Sequence, residues 1–310
     1  MKRILVPLDG SDFAEQALSP AVALAVRLGA EIHLLSVVSA EPPIPFSFAD
    51  EVLLAGWVDE RVARRREYLE RTTAGVSARS AGIRVETRVS VGKAAETIGK
   101  VAEELDVGLV ILTTHGRGVI RRAWLGSTAD QLLRSPGRPL LLLPPTPTGA
   151  NPLAEDEVGH VLVRLDGSEA AEAALDVLPL VVPASGGARL ALVNVVEEGF
   201  PFPTAYLPHA ISEESVREER RKRAAAYLAA ASRRVEREGV GVPETRVLTA
   251  DSAAHGLLRY CEGAEVDVIA LSTHGRGGAF RFLLGSVADK LVRRAGVPVL
   301  VVRRSSNGRR

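Results

Sequence analysis

Short apolar runs alternate with helix-length amphipathic segments along this chain. In the first half the runs are Ile4–Leu8, Ile32–Val38, Arg84–Val89, Leu109–Thr113 and Leu140–Leu143. Val, Ile and Leu occupy consecutive positions in them. Strands buried on both faces, as in parallel sheets, read this way, whereas half-exposed strands alternate. Between the runs lie predicted helices. Ser11 can cap one that runs to about Leu28 and stops at Gly29. A long charged helix is expected from about Asp50 to Ser80, and others over Lys93–Leu105 and Ser127–Arg134, the last closed by Pro136-Gly137. The second half repeats the alternation. Its strands are Val161–Leu165, Arg189–Val196, Glu244–Leu248, Asp267–Leu271 and Val299–Val302, and its long helix runs from about Ser212 to Glu238. Alternation of this length implies doubly wound α/β sheets with right-handed crossovers.

The two halves are copies of each other. Thr113-Thr114-His115-Gly116-Arg117-Gly118, followed by Gly126-Ser127, returns as Ser272-Thr273-His274-Gly275-Arg276-Gly277, followed by Gly285-Ser286. The offset is 159 at both ends of the segment (115 to 274, 126 to 285). Arg3–Ser11 returns as His160–Ser168, and Arg138–Leu143 as Val297–Val302. A period near half the chain length means two complete domains, not a solenoid. The expected organisation is a domain over 1–145, a linker over 146–158, a second domain over 159–304 and a disordered basic tail over 305–310. Pro144-Pro145-Thr146-Pro147 through Glu155-Asp156-Glu157 has no periodicity and reads as a semi-rigid exposed linker.

Composition narrows the classes. The chain has 310 residues, formal net charge +1 and 46% hydrophobic residues, which suits a soluble protein with buried cores and gives no charge excess for nucleic acid. Arg303-Arg304 and Arg309-Arg310 read as a solvated tail, and Arg220-Arg221-Lys222-Arg223 beside Glu218-Glu219 as an ion-paired helix face. The single cysteine, Cys261, fits a reducing cytoplasm. No N-terminal apolar stretch is long enough for a signal peptide or membrane span, and the six histidines lack metal-ligand spacing, so no metal is assigned.

Candidate chemistry gathers at two places in each half. Asp9-Gly10-Ser11 follows the first strand, where open α/β sheets bind ligands at the topological switch point. Gly10 permits the tight turn and Ser11 can cap a helix. The Asp9 carboxylate can accept hydrogen bonds from a nucleoside, or it can stabilise the turn as an Asx residue. Asp166 and Gly167 repeat this pattern. The second place is the loop from Thr113 to Ser127, which begins at the end of the fourth strand. Gly116 and Gly118 let the backbone approach a ligand, and Gly126-Ser127-Thr128 opens a helix whose free N–H groups and dipole favour anions. Arg117, with Arg121 and Arg122, can add side-chain charge, making a triphosphate cradle. Neither loop holds a Walker A or a G-x-G-x-x-G sequence, which disfavours lysine-anchored NTPase chemistry and NAD-dependent redox. His115 and His274 read as loop-ordering residues, and no catalytic nucleophile is identified.

At these residues the chain resembles the universal stress protein family, in its tandem two-domain form, over nearly its whole length. The family's nucleotide-binding members carry G-x2-G-x9-G-[ST] after the fourth strand. Gly116-x9-Gly126-Ser127 and Gly275-x9-Gly285-Ser286 match it, with Thr113 and Ser272 in place of the first glycine. The family's first-strand Asp matches Asp9 and Asp166. A valine after the second strand, lining the adenine pocket, matches Val37 and Val195. The resemblance implies two tandem doubly wound five-stranded parallel sheets in strand order 3-2-1-4-5, adenine nucleotide α-hydrolase-like. It also implies ATP, with or without Mg²⁺, between the first and fourth strands, and dimer pairing through the last strand. The ligand-binding set then comprises Pro7, Asp9, Gly10, Val37, Thr113, His115, Gly116, Arg117, Gly118, Gly126, Ser127 and Thr128. Its second-half counterpart comprises Asp166, Gly167, Val195, Ser272, His274, Gly275, Arg276, Gly277, Gly285 and Ser286. The function implied is an ATP-binding module for stress response or signalling. A slow ATPase or nucleotidyl-transfer enzyme, and an interaction scaffold that has lost nucleotide, stay open as alternatives.

Two further expectations concern the relation between the halves. Leu140–Leu143 and Val299–Val302 would be exposed apolar edges, so they are expected to pair antiparallel as an internal pseudo-dimer. The two sites are expected to differ, because Arg164 stands where the first half has Pro7 and Asp251 stands where it has Gly92. Arg164 can pair with Asp166 across two strand positions, which share a face.

Overall fold

The computed structural model describes residues 2–41, 51–80, 82–114, 125–135, 137–144, 146, 151–154, 158–183, 187–198, 213–273 and 285–303. The expected tail over 305–310 lies outside them. The chain forms two compact units, Met1–Glu157 and Val158–Arg310.

The first unit holds five strands: β1 (Arg3–Pro7), β2 (Glu31–Val38), β3 (Val85–Val91), β4 (Leu109–Thr113) and β5 (Leu140–Leu143). They lie in the order β3-β2-β1-β4-β5, every pair parallel, as Ile4 beside Ile32 and Leu109 illustrates. All five residues of β4 and all four of β5 are buried, as consecutive apolar positions require of strands covered on both faces. Strand β3 at the edge is largely exposed and carries Glu86 and Arg88, charges that discourage pairing with another chain.

The second unit repeats this with β6 (His160–Arg164), β7 (Arg189–Glu197), β8 (Glu244–Ala250), β9 (Val268–Ser272) and β10 (Val299–Val302). Their order is β8-β7-β6-β9-β10, again parallel throughout. The strand order and the doubly wound parallel architecture are those expected from the sequence. Strand ends shift by one or two residues everywhere except β4, β5 and β10.

The helices show where local chemistry overrode the simple reading. The single helix expected from Ser11 to Leu28 is two helices, α1 (Asp12–Glu15) and α2 (Leu18–Leu28). Pro20 explains the break: it has no N–H to donate to Gln16, and its ring would crowd that carbonyl in a continuous helix. Within α2 it occupies the first turn, where no N–H partner is needed. Gly29 ends α2 in the left-handed conformation (φ 58°), and Ala30 N–H reaches back to Ala25 O at 2.9 Å. Among the described residues, the corresponding stretch of the second unit contains 3₁₀ turns, Ala171–Ala174 and Leu178–Leu180, and no α-helix. Pro179 and Pro183 remove the N–H donors that an α-helix would need there.

The long helices are α3 (Glu51–Arg79) in the first unit and α6 (Glu213–Arg237) in the second. They pack on β2–β3 and β7–β8 respectively, through Leu69 and Val76 in one and Leu228 and Val235 in the other. Both pairs of residues keep the offset of 159. In the basic run of α6, Arg223 pairs with Glu219 at 2.9 Å and Lys222 with Glu218 at 4.0 Å. Arg234 pairs with Glu172, Asp176 and Glu238, tying α6 to the 3₁₀ segment. The remaining helices are α4 (Ala94–Glu104), α5 (Ser127–Arg134), α7 (Ala253–Ala264) and α8 (Ser286–Arg294). In the stretch read as an exposed linker, a 3₁₀ turn over Pro152–Ala154 lies against α2, and its Leu153 is buried.

Two outcomes follow from this packing. A Cβ on Gly29 would meet nothing within 4 Å, so Gly29→Ala carries only the strain of a left-handed alanine. It should cost about 1 kcal/mol in urea denaturation, and Gly29→Asn less. Cys261 on α7 is buried, and burial, reinforced by the Glu262 carboxylate, pushes its thiol up to about 12. Iodoacetamide at pH 8 should therefore leave the native chain unlabelled and label it once unfolded, read by mass spectrometry.

Candidate functional site

Parallel strands deliver all their carboxyl ends to one edge of each sheet. The strand order reverses between β1 and β4 in the first unit and between β6 and β9 in the second, so a crevice opens there. Asp9 and Asp166 lie two residues beyond the ends of β1 and β6. In the first unit Asp9 Oδ1 accepts from Ser11 N at 2.9 Å and from Ser11 Oγ at 2.5 Å. Ser11 Oγ in turn accepts from Ala14 N at 3.2 Å, capping α1. The second unit repeats every bond: Ser168 N and Oγ donate to Asp166 Oδ1 at 3.0 and 2.6 Å, and Ala171 N donates to Ser168 Oγ at 3.1 Å. The Asx turn is thus present in both copies, and the serine bond that caps α1 recurs where the second unit has a 3₁₀ turn. Gly10 (φ 74°) and Gly167 (φ 82°) sit in the left-handed region, which explains glycine at the turn.

A pair of residues missed in the sequence holds this turn in place. Ser36 on β2 donates through Oγ to Leu8 O at 2.9 Å, and Asn194 on β7 donates through Nδ2 to Leu165 O at 2.8 Å. Both are buried. Each clamps the carbonyl immediately before the aspartate. A lone polar residue inside an apolar run was the available signal: it is tolerated only with a partner.

The second component sits at the ends of β4 and β9. Thr114 N donates to Leu143 O at 2.8 Å, and Gly126 N donates to Thr114 O at 2.7 Å. Thr273 N to Val302 O (3.0 Å) and Gly285 N to Thr273 O (3.1 Å) are the counterparts. The two ends of each glycine-rich loop are therefore pinned together. A Cβ on Gly285 would lie 2.7 Å from Thr273 O, so this glycine is demanded by contact between the loop ends. Helices α5 and α8 start at Gly126 and Gly285 with no side-chain cap, unlike α1 and α7, which Ser11 and Ser252 cap. Ser127 and Ser286 are exposed at these open ends, with Thr128 half-buried beside Ser127. His115, Gly116, Arg117, Gly118, His274, Gly275, Arg276 and Gly277 lie outside the described residues.

The substituted first glycines are buried. Thr113 is 8% exposed and Ser272 is 2% exposed, and the Ser272 hydroxyl has no hydrogen-bond partner among the described residues. Val37 and Val195 are half-buried and lie within β2 and β7, not after them. Tyr68 on α3 also comes close: burial, then the Glu15 carboxylate, then that of Asp9, push its phenol above the usual range. Tyr227 is its counterpart at the offset of 159, a signal that was legible in the repeat.

The copies also differ. Arg164, the last residue of β6, places Nη2 3.1 Å from Asp166 Oδ2. Pro7 occupies that place in β1. Gly92 (φ 151°) would bring a Cβ 2.7 Å from Thr97 Oγ1. In the second unit these two positions are Asp251 and Gly256, and a Cβ on Gly256 would lie 3.2 Å from Val195 Cγ1.

This geometry belongs to a known group of proteins. The chain is 29% identical over 214 residues to a universal stress protein of Mycobacterium tuberculosis, a match covering 67% of this chain and 65% of that protein's length. It is 26% identical over 323 residues to a universal stress protein of Synechocystis sp., covering 98% of this chain and all of the other. The fold is shared with the crystal structure of a universal stress protein from Archaeoglobus fulgidus, at 20% identity, 98% coverage of both chains and a TM-score of 0.69. With the universal stress protein family model matching residues 1–144 and again 157–303, the chain belongs to that family, carrying two copies of its domain in tandem.

Proposed function

We propose that the chain is a nucleotide-dependent stress-response or signalling module that binds ATP at the switch point between β1 and β4. The observation carrying this reading is one arrangement built twice. An Asx turn holds a carboxylate at the end of the first strand, and beside it an uncapped helix begins at a glycine pinned to the neighbouring strand. The donor set suits an adenine nucleotide. Aspartate accepts from an amine or hydroxyl, and the open helix N-terminus offers N–H groups to phosphate oxygens. The buried Ser272 hydroxyl adds a donor that lacks a protein partner among the described residues. Mg²⁺, where present, would neutralise phosphate charge, and Ser127 and Thr128 in the first turn of α5 are the hydroxyl residues that would face it.

Binding is the function proposed, with hydrolysis at most slow. The expected partners are adenine nucleotide and, through the apolar last strands, another copy of the same domain. We assign the action to the cytoplasm. No helix among the described residues is long and apolar enough to cross a membrane. One observation favours the scaffold alternative: Thr113 and Ser272 put side chains where the family's nucleotide-binding pattern has glycine.

The reading is tested on the purified full-length chain. In a Trp57→Phe background Trp124, two residues before Gly126, should change its fluorescence when ATP is added. Asp9→Ala should weaken that response at least tenfold, and Gly126→Val should abolish it; a response unchanged in both variants rules out the proposed cleft. ATP turnover with Mg²⁺ should stay far below the ~1 s⁻¹ at which ordinary enzymes begin. Faster, saturable release of phosphate would favour the enzyme alternative.

A further inference from the structure

Each cleft presents one aspartate, and β6 ends in an arginine beside its own where β1 ends in a proline. Asp166 Oδ1 accepts twice from Ser168, and Oδ2 faces the Arg164 guanidinium at 3.1 Å. The two side chains are 13% and 15% exposed, so the pair is largely withdrawn from water. Arg164 pairs with Val193 of β7 in the sheet, as Pro7 pairs with Leu35 of β2. The two residues occupy the same place in the fold, and proline carries no donor to offer a carboxylate.

We propose that Arg164 makes the second cleft discriminate against adenine nucleotide. One chain then binds one ATP tightly, in its first unit, and a second at least tenfold more weakly. This inference rests on the nucleotide reading above. A ligand amine or hydroxyl that engages Asp166 must displace a guanidinium, and it offers a neutral hydrogen bond in exchange for a charge-assisted one. Arginine cannot relieve the conflict by losing its proton. Separating a mostly buried pair also strands a charge, which is strongly unfavourable.

A second set of residues acts in the same direction. At the carboxyl edge of the second sheet stand Glu197, Glu198 and Asp251, all exposed. Their counterparts in the first unit are Ser39, Ala40 and Gly92, with Glu41 the one acid beside them. Glu197 Oε1 accepts from Ala253 N at 2.9 Å, fixing its carboxylate at the start of α7. Three carboxylates at that edge against one disfavour a polyanion within a Debye length.

The test is titration calorimetry of the full-length chain with ATP and Mg²⁺. The unmodified chain should show one tight site and a second at least tenfold weaker. Asp9→Ala should remove the tight one. In that background Arg164→Val should tighten the remaining site at least tenfold, a gain of about 1.4 kcal/mol. Arg164→Met, with an uncharged stem of similar length, should give the same gain and guards against a folding defect particular to valine. Arg164→Lys should gain less than either. Unchanged or weaker binding in both uncharged variants overturns the role of Arg164. Two equal sites in the unmodified chain overturn the inequality and leave the nucleotide reading standing. No ATP binding by the unmodified chain or by any variant overturns both.

Discussion

A parallel strand cannot turn straight back to its neighbour. Each connection must cross the sheet and return to the same starting edge, and a helix is the compact way to do it. That constraint buries β4 and β5 at every position and their counterparts β9 and β10 likewise. It also sends every strand terminus, with its polar turn, to one side. Asp9 and Gly10 belong to one connection and Thr114 and Gly126 to another, yet the sheet gathers them at a single edge. The chemistry of the edge is therefore a by-product of how the core is covered.

The same edge shows how little side-chain chemistry is needed to fix a turn. One buried hydroxyl in one unit and one buried amide in the other hold the carbonyl before the aspartate. Serine and asparagine differ in size and reach but end 2.9 and 2.8 Å from equivalent acceptors. The position selects for a donor of suitable length, and the surrounding apolar strand makes an unpaired polar group there costly. The duplicated unit thus tolerates different residues as long as the bond survives.

Much of the architecture was legible in the sequence because its signals are strong and repeated. Apolar runs marked the strands, consecutive in the buried ones and broken by charges in β3 and β8, and the sheet order follows the family resemblance. What was not legible depended on contacts rather than patterns. Pro20 splits a helix whose amphipathic pattern is continuous, and Pro179 with Pro183 leave 3₁₀ turns where the first unit has α2. Ser36 and Asn194 looked like interruptions of apolar strands until their acceptors were seen. The crowding of Gly285 against Thr273 O likewise shows only in the folded chain. Arg164 and Asp166 were the exception, since the two-residue strand period alone sets them on one face.

The reciprocal exchange of small and large residues behind the cleft has a consequence for how the two copies can recombine. In one unit Gly92 makes room for Thr97; in the other, Gly256 makes room for Val195 and the turn residue is Asp251. Residues 92 and 97 thus form an inseparable couplet. Carrying Asp251 alone into the first copy would set a side chain against Thr97 Oγ1 at a backbone φ of 151°, which suits glycine. Carrying Thr97 alone into the second would press on Val195 and Ala250. A gene-conversion tract that ended between the two positions would set Asp251 against Thr97, and one that carried Thr97 into the second copy would meet Val195 and Ala250 whether or not Gly92 came with it. Drift between the copies, once begun at this couplet, is therefore hard to erase one residue at a time.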